Sequence, residues 1–212
     1  MLRPRVGRRL VVFAALGVFA GVFAGAFALS RVEAQVSNGL VRVVISTSAG
    51  DIAATLDSAH APITVTNFLR YVDAARYTSG AFHRSVTLAN QPRDSVRIEV
   101  IQAGPRRSPP DSSFAPIPLE RTRDTGLRHT DGALSMARAG PNTATGDFFV
   151  TIGAQPSLDF GGHRNLDGQG FAVFGYVTSG MDVVRKIQQS PVTAQALTPP
   201  IVITRISRVT TR

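Results

Sequence analysis

The sequence predicts a mainly β domain, a closed eight-stranded antiparallel barrel capped by two helices. Three observations lead there. Eight short segments are rich in β-branched or aromatic residues and are bounded by turn residues. Only two segments place apolar residues at helical spacing. The length of 212 residues, with 43% hydrophobic and 17% charged residues, suits one full-sized domain plus an appendage. Eight strands with few helices close most simply into a barrel whose open ends the helices cover.

In chain order, residues 40–47 (LVRVVIST) form the first predicted strand. Residues 49–51 (AGD) supply a turn, and residues 52–56 form the return strand. The stretch APITVTNFLRYVDA follows. Pro62 suits a first helical turn, and Ile63, Val65, Phe68, Leu69 and Val72 are expected to share one apolar face. Further strands are expected over 80–84, 96–102, 132–137, 148–152 and 171–177. A short helix over 180–189 would turn Met181, Val184 and Ile187 inward, and residues 201–206 form the closing strand. Residues 106–118 (RRSPPDSSFAPIP) are loop by composition.

Composition removes several function classes. There is no cysteine, hence no disulfide, thiolate metal site, cysteine nucleophile or lipid attachment through cysteine. The net charge of +9 invites a nucleic-acid reading. Yet the first 34 residues carry Arg3, Arg5, Arg8, Arg9 and Arg31 against Glu33, and the remaining arginines are scattered. Trp is absent, and four of the twelve Phe lie near the N-terminus, so no aromatic–cation platform for bases exists. The four histidines (His60, His83, His129, His163) lack close metal-ligand spacing, and no metal site is expected. G-x-S-x-G, H-E-x-x-H, a phosphate-binding loop and G-x-G-x-x-G opening a helix are all missing.

Residues 10–29 (LVVFAALGVFAGVFAGAFAL) are uncharged and follow the basic stretch RPRVGRR. Such a run is long enough to cross a bilayer, with its basic flank left in the cytoplasm. Residues 1–34 therefore form either a signal peptide cleaved near Ala34 or an uncleaved signal anchor, followed by a linker over 35–39 and the domain over 40–212. Length favours the anchor; richness in Ala and Gly, with the small-residue site at Val32-Glu33-Ala34, favours cleavage. The expected location is extracytoplasmic and periplasmic: soluble if cleaved, held at the inner membrane through residues 10–29 if not.

Four segments together carry a family resemblance: APITVTNFLRYVDAARY; Phe82-His83-Arg84 with Ile101-Gln102-Ala103-Gly104; LSMARAGPNTATGDFFV; and Ser157-Leu158-Asp159 with Phe174-Gly175-Tyr176-Val177 and Gly180-Met181-Asp182-Val183-Val184. In this order, over about residues 40–209, they resemble the cyclophilin family of peptidyl-prolyl cis/trans isomerases. The resemblance implies that Arg84 is the cationic donor aimed at the prolyl nitrogen, and that Gln102 binds the substrate backbone and helps to orient Arg84. It also implies that Phe149, Leu158, Val100 and Phe171 wall a proline pocket, while Ala137 and the backbone of Arg138 border the groove for residues before the proline. Phe82, His83 and Phe148 are assigned to structure, His83 as a buried, hydrogen-bonded histidine. No cofactor is implied, because the chemistry is conformational. The implied partners are proline-containing, unfolded exported polypeptides, with no nucleic acid, and a monomer is expected.

The sequence also departs from the family pattern. Residues 85–98 (SVTLANQPRDSVRI) make a longer, polar connection, and Glu99-Val100 stand where an aromatic and a methionine are usual. Glu99 at the mouth would repel acidic substrates or pair with Arg84. Ser157 replaces a tryptophan found in some members, implying weak binding of the cyclic peptide drug that names the family. Residues 160–170 (FGGHRNLDGQG) are an insertion. Three functions follow for comparison: an active isomerase assisting folding of exported proteins, a catalytically weak binding module or chaperone for proline segments on the same fold, and a membrane-tethered scaffold.

Overall fold

The structure, a computed structural model, describes residues 39–106 and 113–209. The apolar stretch over residues 10–29, the expected cleavage position near Ala34 and residues 107–112 of the Pro-rich loop lie outside the described residues.

Nine strands form one antiparallel sheet: β1 Leu40–Thr47, β2 Gly50–Asp57, β3 Gly80–Val86, β4 Val100–Gly104, β5 Ala133–Met136, β6 Phe148–Thr151, β7 Ala172–Ser179, β8 Val192–Thr193 and β9 Ala196–Arg208. Eight of them follow the order β1-β2-β7-β5-β6-β4-β3-β9, and β9 pairs back onto β1. The barrel is closed, as the sequence predicts, and closure removes its edges. The ninth strand, β8, is a two-residue partner of the start of β9. The closing strand is longer than the expected 201–206. Its first residues, which include Pro199 and Pro200, span an irregular stretch before regular pairing with β3. Prolines that cannot donate to a ladder hide such a strand in the sequence.

Helix α1 (Pro62–Asp73) packs its apolar stripe on the barrel, with Val65, Phe68, Leu69 and Val72 buried. Phe68 touches Tyr77, Phe148 and Phe174 at ring-centroid distances of 5.2, 5.4 and 5.1 Å. Ile63 does not share that face: it is 42% exposed. It stands two positions before Val65, which on a helix is the opposite side. The helix has no cap from its own Ala61; instead the Glu120 carboxylate accepts the Ile63 and Thr64 N–H groups at 3.0 and 2.7 Å. A distant carboxylate thereby satisfies two orphan donors at the positive end of the helix dipole. A one-turn helix, α2 (Thr122–Thr125), ends on Gly126, and α3 (Met181–Gln188) buries Val184 and Ile187, with Met181 packed beside them.

Strand alternation sorts side chains into two apolar clusters. Phe82, Ile101, Ala103, Leu134, Met136, Phe148 and Val150 fill the barrel. Val86, Val100 and Phe149, with Ile98 and Leu158, form a second cluster to which Ala137 and Phe171 add. Since successive residues on a strand face opposite ways, this second cluster lies on the outer face of β3, β4 and β6.

Phe68→Ala is expected to destabilise the domain by about 3–5 kcal/mol, as for a large aromatic removed from a core. Ile63→Ser should stay within about 0.5 kcal/mol of the parent. Urea unfolding midpoints of the two variants check both values.

Candidate functional site

The first element of the site is a backbone irregularity. Phe82 pairs with Ala103, whereas Arg84 pairs with Gln102, so β3 carries one residue more than its partner between them. His83 is that extra residue. The pairing with β9 also breaks at this point, but there β9 carries the surplus, residues 197–200 lying between Ala196 opposite Arg84 and Ile201 opposite Phe82. A bulge of this kind inverts the in–out alternation beyond it. Phe82 therefore points into the barrel while Arg84 and Val86 face outward. Neither burial nor hydrogen bonding fits the expectation for His83: it is partly exposed and makes no side-chain hydrogen bond among the described residues. As the unpaired bulge residue it has no slot in either face.

Register then aligns a row across the outer face. Ala196 lies opposite Arg84, Arg84 opposite Gln102, Gln102 opposite Phe149, and Phe149 opposite Ser135. Directly opposed residues share a face and touch. Arg84 Nη1 donates to Gln102 Oε1 at 3.0 Å, while Nε and Nη2 donate to Gln195 Oε1 at 2.9 and 2.6 Å. Gln195 is itself held, donating from Nε2 to the Asn90 carbonyl at 3.2 Å. Asn90 is fixed in turn by a reciprocal capping box with Thr87. Among the described residues no carboxylate forms an ion pair with Arg84. Burial lowers its pKa from the ordinary value, as does the nearby Arg164, against an opposing pull from Asp94. A guanidinium nonetheless stays charged. Arg84 is thus a cation held in place by neutral amides. Of its five N–H groups three are committed, and two remain for a ligand.

Beside it opens a cavity of about 280 Å³. All eight residues anticipated from sequence line it: Arg84, Gln102, Val100, Phe149, Leu158, Phe171, Ala137 and Arg138. Ile98, Arg164 and Asn165 line it too, without having been anticipated. Ile98 stands two residues before Val100 on the same face and deepens the wall that valine alone leaves shallow. Phe171 meets Phe149 edge-on, with ring centroids 5.4 Å apart. Arg138 does more than lend its backbone. Its guanidinium grips Asp167 through two bonds of 2.7 and 2.9 Å, donates to the Gly170 carbonyl at 2.8 Å, and covers the Phe171 ring. That grip holds the Asp167 carboxyl down to about 2.

The expectation for Glu99 fails. It is not a lining residue; its carboxylate accepts from Gln188 Nε2 on α3 at 3.2 Å. Glu99 precedes Val100 by one, and the period of two carries it to the opposite face.

Behind Phe149 lies a hydrogen-bonded set that the histidine spacing could not reveal. The His129 ring stacks on Phe149, with centroids 5.9 Å apart. Its Nδ1 meets Asp159 Oδ1 at 2.7 Å and its Nε2 meets Ser135 Oγ at 3.0 Å. The arrangement has the outline of a nucleophilic triad, but Ser135 is wholly buried and no substrate reaches it. It serves as a rigid backing for Phe149. Burial lowers the pKa of His129 despite the opposing pull of Asp159. For Asp159, burial raises the pKa, but the His129 contacts prevail and bring it below the usual carboxylate value. The ring is therefore neutral, donating from Nδ1 to Asp159 and accepting the Ser135 hydroxyl at Nε2.

A family model described as cyclophilin type peptidyl-prolyl cis-trans isomerase matches residues 42–208, nearly the whole described domain. The chain belongs to the cyclophilin family. It is 35% identical to peptidyl-prolyl cis-trans isomerase A of Dickeya dadantii, over 69% of this chain and 70% of that protein. It is 34% identical to isomerase B of Escherichia coli, over 69% of this chain and 82% of that protein. The fold is similar to that of a cyclophilin type isomerase of Cryptosporidium parvum, with a TM-score of 0.64 at 22% identity, covering 82% of this chain and 99% of that one. This cyclophilin is accordingly a peptidyl-prolyl cis-trans isomerase.

The buried histidine gives this cyclophilin a defined pH response. Because the folded state keeps His129 neutral below its ordinary value, the unfolded chain takes up that proton first. Stability from this group is complete above about pH 6.5 and declines as pH falls below it. Urea midpoints between pH 7 and pH 5 should therefore fall for the parent, and fall less steeply for His129→Gln.

Proposed function

We propose that this isomerase acts outside the cytoplasm on exported polypeptides, assisting their folding, with Arg84 as the group that stabilises the twisted prolyl amide. The peptide C–N bond resists rotation because resonance gives it double-bond character, with a barrier of ~18–20 kcal/mol. At the top of the barrier resonance is lost and the nitrogen carries a localised lone pair. A fixed N–H donor bearing positive charge interacts with that lone pair and has nothing comparable to bind in the planar ground state. Arg84 fits the role because two of its N–H groups remain uncommitted beside an apolar pocket. Its partners are amide oxygens, which orient the fork without neutralising it.

The other residues divide by chemistry. Phe149, Leu158, Val100, Ile98 and Phe171 are suited to hold the proline ring by apolar contact. Gln102 positions Arg84 and has an Nε2 group to offer the substrate backbone. Gln195 is a positioning residue that acts through Arg84. Ala137 and Arg138 border the run of chain before the proline. The uncharged stretch over residues 10–29 behind a basic N-terminus supports export. Fractionation of the native host, with mass measurement of the N-terminus, tests it: extracytoplasmic protein starting at Gln35 supports a cleaved leader, extracytoplasmic full-length protein an anchor, and cytoplasmic protein rejects export.

The observation that carries the site assignment is the Gln102–Arg84–Gln195 clamp. Arg84→Ala should lower kcat/KM for an Ala-Pro peptide about a hundredfold, ~3 kcal/mol of transition-state stabilisation, with an unchanged circular dichroism spectrum. Gln195→Ala should lower kcat while leaving KM near the parent value, since it frees the fork without altering the pocket. A folded Arg84→Ala protein as active as the parent would sink the assignment.

A further inference from the structure

The insertion over residues 160–170 is fastened at both ends of the pocket. At one end Arg164 Nη1 donates to Asp94 Oδ2 at 3.0 Å and to the Val96 carbonyl at 2.7 Å, joining the insertion to the enlarged 85–98 connection. At the other end Asp167 is gripped by Arg138. The Arg164 backbone is tied as well, its N–H donating to the Ser157 carbonyl at 3.1 Å. Two segments in which this chain departs from its family thus meet at a single arginine, and that arginine lines the cavity.

Arg164 is placed to do more than fasten loops. Both side-chain bonds leave from Nη1, so among the described residues its Nε–H and Nη2–H are uncommitted. Those two groups form the side-on fork that takes a carboxylate through two parallel bonds. Its one acidic partner among the described residues, Asp94, is bound through a single oxygen and is 41% exposed at the side chain, so it neutralises Arg164 only in part. Glu99, the acid that could have opposed this charge, faces α3 instead.

The direction of the substrate places Arg164 relative to the proline. Ala137 hydrogen-bonds Asp147 beside the Gly104 end of β4, whereas Arg164 is tied to Val96, beyond the Val100 end. The two lie towards opposite ends of the same strand. Since the Ala137 end is the one assigned to residues before the proline, the Arg164 end receives those after it. We propose that Arg164 is a specificity-determining residue that favours substrates carrying an acidic side chain just after the proline. This rests on the site assignment given above.

The test uses the purified protein and the peptides Ala-Ala-Pro-Xaa-Ala with Xaa as Glu, Gln or Lys, measured by cis/trans exchange. The expected order of kcat/KM is Glu over Gln over Lys, with Glu preferred to Gln by about three- to fivefold, the scale of a partly exposed ion pair. The preference should shrink as salt is raised. Arg164→Gln should bring the Glu-to-Gln ratio to about one, Arg164→Lys should keep part of it, and Asp94→Asn should increase it. A purely structural role for Arg164 would lower all three peptides alike and leave the ratio unchanged, which overturns the proposal. So does a parent that turns over all three peptides equally. If Arg164→Gln fails to fold, the parent ratio, its salt dependence and Asp94→Asn decide by themselves. Failure of the underlying site assignment is separable, because it shows as full activity of Arg84→Ala whatever the ratio.

Discussion

The site depends on one extra residue in one strand. Were β3 regular through Phe82, His83 and Arg84, the alternation that buries Phe82 would send Arg84 into the barrel as well. A guanidinium there would face Ile101, Leu134 and Phe148 with no partner, at a desolvation cost of several kcal/mol. The bulge at His83 lets the core phenylalanine and the outward arginine stand two positions apart on one strand. It also sets Arg84 directly opposite Gln102, so orientation follows from strand pairing.

The same register makes the barrel a two-sided device. Its interior holds Phe68, Phe82, Phe148 and Phe174, and supplies stability. Its outer face carries the row from Arg84 to Ser135, including a pocket whose apolar wall is buried by its neighbours rather than by the barrel core. Outer-face walls need support. Phe149 receives it from the stacked, neutral His129, and Phe171 from Arg138. The 85–98 connection supplies Asn90, which holds Gln195, so an extended polar loop contributes to the orientation of the donor arginine. A side chain placed by several such contacts need not reorganise when the amide twists, which is where electrostatic stabilisation gains its strength.

Much of this was legible in the sequence, for physical reasons. Strand alternation marked β1 and β2, helical spacing marked α1 and α3, and the family resemblance brought together eight residues that the fold indeed gathers around one cavity. The failures are of two kinds, local periods misapplied and relations between distant segments. Ile63 passed as a core residue because any nearby isoleucine adds to an apolar pattern, although the helical period sets it opposite Val65. Glu99 was placed at the mouth by its neighbours in sequence, and the parity of β4 moved it away. His83 was expected to be buried and hydrogen-bonded, but the bulge leaves it partly exposed, while His129, to which the sequence assigned no role, is the one buried with Asp159 and Ser135 around it. Gln195 sits in an Ala-Gln-Ala stretch with no motif, ahead of a proline-containing strand, and its bonds to Arg84 span 111 positions. Arg164 belongs to an insertion, where resemblance offers nothing to compare.

The central claim is that a fixed guanidinium fork, and not positive charge alone, accelerates the rotation. The most direct measurement is cis/trans exchange of an Ala-Pro peptide, followed by NMR line shapes, with the parent and a folded Arg84→Lys variant. Lysine keeps the charge but lacks the planar fork that Gln102 and Gln195 hold. The account predicts that the variant still binds the peptide while its exchange rate falls near that of Arg84→Ala. Exchange by Arg84→Lys at the parent rate would contradict it.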